Sequence, residues 1–249
     1  MPGAHLNKGN ILRALGRPEE ALACFDAAIG LDPALLGAHN NRGNLLVQLG
    51  RVDEAVAAFR RILSVKPDDD DALLNGGRAL ARLERYAEAY ACYDRLLARK
   101  PDHFAALYNY GIALEAEDKL EDAYARYRRA HALNPDHFGA AYGTLTLALR
   151  FCDWSDCQSL LDQVVAGVRA GKTGFSPFNM FHVSDAAADQ RRCAELWTGS
   201  QYPAAVAAAA TSRRAAHERL RIAYVSSDLR DHATSYLMAG LFERHDRGR

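Results

Sequence analysis

The stretch RIAYVSSDLRDHATSYL, residues 221–237, gathers the side chains in this sequence best suited to moving a proton. A serine hydroxyl is a weak nucleophile, and its attack on an electrophile benefits from a neighbour that accepts or orients the proton it gives up. An imidazole, with a reference pKa near ~6.5, can do this at neutral pH. His232 is therefore the candidate catalytic residue. Ser227, Asp228, Asp231, Thr234 and Tyr236 are its candidate loop support, with Asp231 placed to cap a following helix. By residue type alone, His232 is equally suited to packing at that helix start.

A second set is chemically milder. Asn7, Asn41, Asn75 and Asn109 stand 34 residues apart. Asn is about 0.6 kcal/mol worse than Ala in a helix, and packing does not call for an amide. A row of amides carries both donors and acceptors, so it can hold an extended peptide by its main chain without reading its sequence. The alternative is that these amides tie neighbouring segments together or face water. Tyr108 and Tyr110 flank Asn109 with the spacing of core aromatics. Gly171-Lys172-Thr173 imitates the end of a phosphate-binding loop, but Ala166 stands where such a loop needs Gly, and the preceding segment reads as helix. The five cysteines are scattered without metal or redox spacing, so no metal site and no cofactor is expected.

These residues need elements to position them, and the first half of the chain supplies a period. Pro33, Pro67, Pro101 and Pro135 keep the 34-residue step, as do Gly9, Gly43, Gly77 and Gly111, then Ala21, Ala55, Ala89 and Ala123, then Phe25, Phe59, Tyr93 and Tyr127. A Gly in one helix and an Ala in the next let the two approach closely, and the ring fills the space beside them. Gly16-Arg17-Pro18 and Gly50-Arg51 mark turns between helices. Each register proline ends a second helix, and Asp follows it in three of the four cases as a cap for the next. This pattern resembles the tetratricopeptide repeat over residues 2–135. That resemblance implies a superhelix whose first helices line a concave groove, which would put Asn7, Asn41, Asn75 and Asn109 there as an acceptor-peptide ladder.

After Pro135 the period decays. Leu145 replaces the marker glycine and RFCDW interrupts the turn, so residues 136–170 read as an atypical capping repeat with a helix from Trp154 to about Ala170. Residues 171–218 read as a connecting helical segment. Within it FSPFNMF is suited to packing a linker against a neighbour, Ser184 is a plausible helix cap, and the run from Ala204 to Ala210 is a connector. Residues 221–226 have the β-branched and aromatic content of a strand, and a helix is expected from about Thr234 to Phe242. Strand, loop and helix open a parallel α/β lobe, with ligand-facing residues beyond the strand's carboxyl end. The expected fold is mostly α: a repeat superhelix followed by the start of an α/β lobe at 219–249.

Composition narrows the partners. Thirty-one basic residues balance thirty-one acidic ones, so no overall field draws the chain to nucleic acid or an anionic membrane. No apolar stretch is long enough to span a bilayer, and reduced thiols suit a cytoplasmic protein.

LRIAYVSSDLRDHATSYLM, together with FCDWSD at 151–156 and the asparagine-laddered array, resembles the protein O-linked N-acetylglucosamine transferases and their bacterial relatives. The resemblance implies two Rossmann-like lobes of GT-B type, a nucleotide-sugar donor such as UDP-N-acetylglucosamine, and inverting, metal-free transfer to Ser or Thr of acceptor proteins held by the array. His232 then matches the histidine of the first-lobe active-site loop, as base or polar contact. Tyr236 stands where those enzymes tend to have a second histidine and is closer to the plant Spindly branch, which transfers fucose. On this reading the chain is the amino-terminal part of a glycosyltransferase, lacks the nucleotide-binding lobe and is inactive alone. The rival reading is a tetratricopeptide adaptor without catalytic activity.

Overall fold

The computed structural model describes residues 1–181 and 183–202. Within them all regular structure is helical and no strand occurs. The expected strand at 221–226, its loop and the run 204–210 lie outside the described residues. Four hairpins come first: α1 (Pro2–Ala14) with α2 (Pro18–Leu31), α3 (Leu36–Gln48) with α4 (Val52–Val65), α5 (Asp70–Arg82) with α6 (Tyr86–Arg99), and α7 (Phe104–Ala116) with α8 (Leu120–Leu133). A fifth pairs α9 (Phe138–Arg150) with α10 (Cys157–Arg169), followed by the single turn α11 (Pro177–Met180) and α12 (Ala187–Gln201).

One contact explains the period. A Cβ added at Gly9, Gly43, Gly77 or Gly111 would lie 2.5, 2.8, 2.7 or 2.7 Å from the ring of Phe25, Phe59, Tyr93 or Tyr127 respectively. Each ring thus packs directly against backbone, at a distance only glycine allows. Ala21, Ala55, Ala89 and Ala123 beside them are fully buried. Each buried ring contributes roughly 1.5–3 kcal/mol, and one continuous core runs through these hairpins from Leu12 to Leu147.

The rings are not all equally satisfied. The Tyr127 hydroxyl donates to Glu115 Oε2 at 2.7 Å. One repeat earlier, the counterpart of Glu115 is Ala81, which cannot accept, and the buried Tyr93 hydroxyl has no hydrogen-bond partner among the described residues. Burial pushes the Tyr93 phenol above its ordinary range. Tyr93→Phe is therefore expected to raise stability by about 1 kcal/mol, whereas Tyr127→Phe should lower it by about 0.5–1.5 kcal/mol. Urea midpoints of the two variants check this, and a destabilised Tyr93→Phe would mean that the hydroxyl does find a partner.

The first helices end alike. Arg17, Arg51, Arg85, Lys119 and Asp153 each donate a backbone N–H to the carbonyl five residues back, at 2.9–3.0 Å, closing a Schellman motif. The residue before each has positive φ: Gly16 (70°), Gly50 (77°), Glu84 (58°), Asp118 (59°) and Cys152 (56°). A left-handed backbone is costly for a side chain with Cβ. Glu84→Gly is accordingly expected to stabilise the protein by about 0.5–1 kcal/mol, and Gly50→Ala to destabilise it by a similar amount. Chemical denaturation of the pair should show these opposite signs.

The caps fall one residue later than the sequence suggested. Pro67-Asp68 and Pro101-Asp102 occupy the centre of β-turns closed by Asp69 N–H to Lys66 O and His103 N–H to Lys100 O, both 3.1 Å. The capping atoms are therefore Asp69 Oδ1, His103 Nδ1 and His137 Nδ1, which accept from Ala72, Ala106 and Ala140 at 3.0, 3.2 and 3.1 Å. The aspartates after the prolines turn outward instead: Asp68 pairs with Arg95 at 3.1 Å and Asp102 with Arg129 at 2.7 Å.

The fifth hairpin keeps its turn in register at Cys152, but α10 starts at Cys157 rather than Trp154. Asp153 pins this longer turn to α8, accepting from the Tyr124 hydroxyl at 2.8 Å and from Ser155, and these bonds hold its carboxyl at about 2. Within the fifth hairpin the close approach is reversed, with Gly167 of α10 against the Phe138 ring of α9, while a Cβ at Gly143 would lie 2.8 Å from the Tyr127 ring of the preceding hairpin. Gly171 stops α10 through the same Schellman bond, Lys172 N–H to Gly167 O at 2.9 Å. Gly171-Lys172-Thr173 is thus a helix terminus and no phosphate loop. Phe175 and Met180 are buried with Val164, Val168 and Cys193 in a second core. Arg169 grips the buried Asp189 of α12 through two bonds of 2.7 Å, and the Ser184 hydroxyl donates to the same carboxylate at 2.9 Å.

Candidate functional site

The first helices contact one another as well as their hairpin partners, α1 with α3, α3 with α5 and α5 with α7. An array in which these helices are drawn together curves toward them, so they form its inner wall. The amide register lies along this wall. Asn75 lines an open cavity of ≈ 660 Å³ together with Arg13, Asn44, Val47, Gln48 and Arg78, contributed by α1, α3 and α5.

Two of the four amides already make bonds between repeats. Asn41 Nδ2 donates to Asn10 Oδ1 at 2.8 Å, joining α3 to α1, and Asn75 Nδ2 donates to Asn40 Oδ1 at 3.4 Å, joining α5 to α3. Asn109 Nδ2 donates to Ala105 O at 2.6 Å within α7, and Asn7 is exposed on α1. Asn41 and Asn75 therefore tie neighbouring first helices together, and Asn75 lines the groove cavity at the same time.

Sequence reading missed several wall residues. Asn10, Asn44, Arg78 and Ile112 form a further register with the same 34-residue step, one helical turn after the ladder. Arg13, Val47, Ala81 and Glu115 form the next. Neither register keeps one residue type throughout, so neither stands out from a search for identities. Asn40 joins the wall through the bond it accepts from Asn75, a contact between repeats that no single repeat displays.

Farther along, Tyr108, Glu115, Tyr127, His137, Tyr142 and Thr173 border a second cavity of ≈ 370 Å³. Here the chain covers its own inner wall. The Tyr142 and Phe175 rings are 4.7 Å apart, and Asn179 Nδ2 donates to the Tyr142 hydroxyl at 2.9 Å. Tyr110, by contrast, is buried between rings, stacked on Tyr90 at 5.1 Å and tilted against Tyr93 at 5.3 Å. Ser227, Asp228, Asp231, His232, Thr234 and Tyr236 lie outside the described residues. No helix among the described residues is long and apolar enough to cross a membrane.

Residues 6–72 and 46–116 each match the tetratricopeptide repeat family. No curated protein matches the chain. Among solved structures, it resembles MamA (residues 41 to the end) from Desulfovibrio magneticus RS-1 at 21% identity, covering 68% of this chain and 96% of that one with a TM-score of 0.61. It also resembles PilW, a type IV pilus biogenesis factor, at 21% identity over 82% of this chain and 94% of that one, with a TM-score of 0.63. YrrB, described as a tetratricopeptide protein with an unusual peptide-binding site, has 23% identity over 65% and 84% and a TM-score of 0.53. At these identities the likeness is one of fold.

Proposed function

We propose that this tetratricopeptide-repeat chain is a protein-interaction adaptor whose inner groove holds an extended segment of a partner protein. The observation that carries this reading is the row of amides along α1, α3, α5 and α7, with Asn75 lining a groove cavity of ≈ 660 Å³. Amides can meet both the N–H and the C=O of a peptide main chain. The test uses Asn7 and Asn109, which make no bond to another helix among the described residues. Asn7→Ala/Asn109→Ala should weaken binding of degenerate dodecapeptides about tenfold and leave the melting temperature unchanged, at roughly 0.5–1.5 kcal/mol per lost hydrogen bond. Unchanged peptide affinity would remove the ladder from the binding mechanism.

A second reading is favoured by LRIAYVSSDLRDHATSYLM and its resemblance to the O-linked N-acetylglucosamine transferases. On that reading the groove presents an acceptor protein to an inverting glycosyltransferase, and the donor is a nucleotide sugar. Calorimetry of the full-length protein with UDP-N-acetylglucosamine and GDP-fucose tests it. Heat from one of them identifies the donor, and heat from neither leaves the adaptor reading alone.

A further inference from the structure

We propose that the groove between α1 and α5 selects acidic protein segments, through the guanidinium groups of Arg13 and Arg78. This inference rests on the peptide-groove reading above and adds the chemical class of the occupant. The cavity wall carries two guanidiniums, Asn44, Asn75 and Gln48, and no carboxylate. Neither Arg13 nor Arg78 has an ion-pair partner among the described residues. Elsewhere in the array most arginines are neutralised: Arg51 by Glu54 at 2.6 Å, Arg60 by Glu88 at 2.7 Å, and Arg99 by Asp70 at 2.8 Å. Arg42 also belongs to a first helix, α3, yet it pairs with Asp26 of α2 at 2.6 Å. Beside the cavity Arg82 donates to Val47 O at 3.3 Å and adds a third cation that no carboxylate meets within ion-pair distance. Among the described residues, Arg13, Arg78 and Arg82 thus leave positive charge without a carboxylate partner at the groove wall, and Arg42 alone of the arginines on α1, α3 and α5 is paired.

The wall favours a peptide over a nucleic acid. Nucleic-acid binders draw affinity from many phosphate contacts and a basic field, whereas this chain has no net charge and two cations in the cavity. Amides that can engage a main chain, flanked by guanidiniums that take carboxylates in forked bonds, suit an extended segment with acidic side chains.

The test uses the full chain and three fluorescein-labelled pools of degenerate dodecapeptides, acidic, neutral and basic, followed by fluorescence anisotropy. A single-stranded oligonucleotide of the acidic pool's charge is the fourth probe. The acidic pool should bind more tightly than the neutral pool, and added salt should weaken it. Each exposed guanidinium–carboxylate contact is worth about 2- to 5-fold, so Arg13→Gln/Arg78→Gln should lower acidic-pool affinity about 4- to 25-fold. The double variant should cost the neutral pool less affinity than it costs the acidic pool. Equal binding of acidic and neutral pools would overturn the charge selection and leave the groove reading standing. Tighter binding of the oligonucleotide would overturn it in favour of a nucleic acid. Binding of no pool would remove the groove reading, and this inference with it. The salt titration on the unmodified chain gives an answer even if the double variant folds poorly.

Discussion

Truncating Phe59 to alanine is expected to destabilise the array by about 3–5 kcal/mol, toward the upper end of that range. The ring is 1% exposed and is clasped by two hairpins. Gly43 of its own hairpin would place a Cβ 2.8 Å from it, and Gly76 of the next would place one 3.4 Å from its Cβ. Both of these close neighbours are glycines, so neither has a side chain to relax into the void. Gly43→Ala alone overpacks the same contact, at a cost of about 1–3 kcal/mol less the ~1 kcal/mol that alanine gains in a helix. In the Phe59→Ala background the added methyl enters empty space and should stabilise. Urea unfolding followed by far-ultraviolet circular dichroism gives the four-corner cycle. Additive effects would show that Gly43 and Phe59 do not share one contact.

The second large effect belongs to the glycosyltransferase reading. His232→Ala in the full-length protein is expected to reduce sugar transfer by about 10² to 10⁴, the range for losing a positioned acid–base or polar contact. The expectation draws on the imidazole, on its place after the run 221–226 and on the family resemblance. The assay is transfer from UDP-N-acetylglucosamine and from GDP-fucose to a protein acceptor, with folding checked by circular dichroism. Activity within a few-fold of the parent would leave His232 in a packing role.

The hairpins were legible in the sequence because one steric event, a ring pressed on backbone, imposes the same residue types in each of four copies. The turns were half legible. Gly16 and Gly50 announce a left-handed residue, whereas Glu84, Asp118 and Cys152 adopt the same conformation without glycine. The caps were displaced by one residue because a Pro-Asp turn has to be completed before its helix begins. The fifth hairpin was blurred by Leu145 at the marker position, because its close approach is made by Gly167 against Phe138, with glycine and ring exchanged between the two helices. At the site, the ladder could be read because its amides are identical. The mixed registers through Arg13 and Arg78 could not, since each matters by its charge and place rather than by repetition.

The covering of the fifth hairpin's inner wall has a further consequence. Tyr142 is engaged by Phe175 and Asn179, and Thr146 and Leu149 border a cavity shared with Asn179 and Val183. A segment laid along the groove from α1 therefore meets the chain's own linker after the fourth hairpin. On the peptide-groove reading, the wall open to a partner is that of the first four hairpins, and the fifth is spent on the chain's own linker.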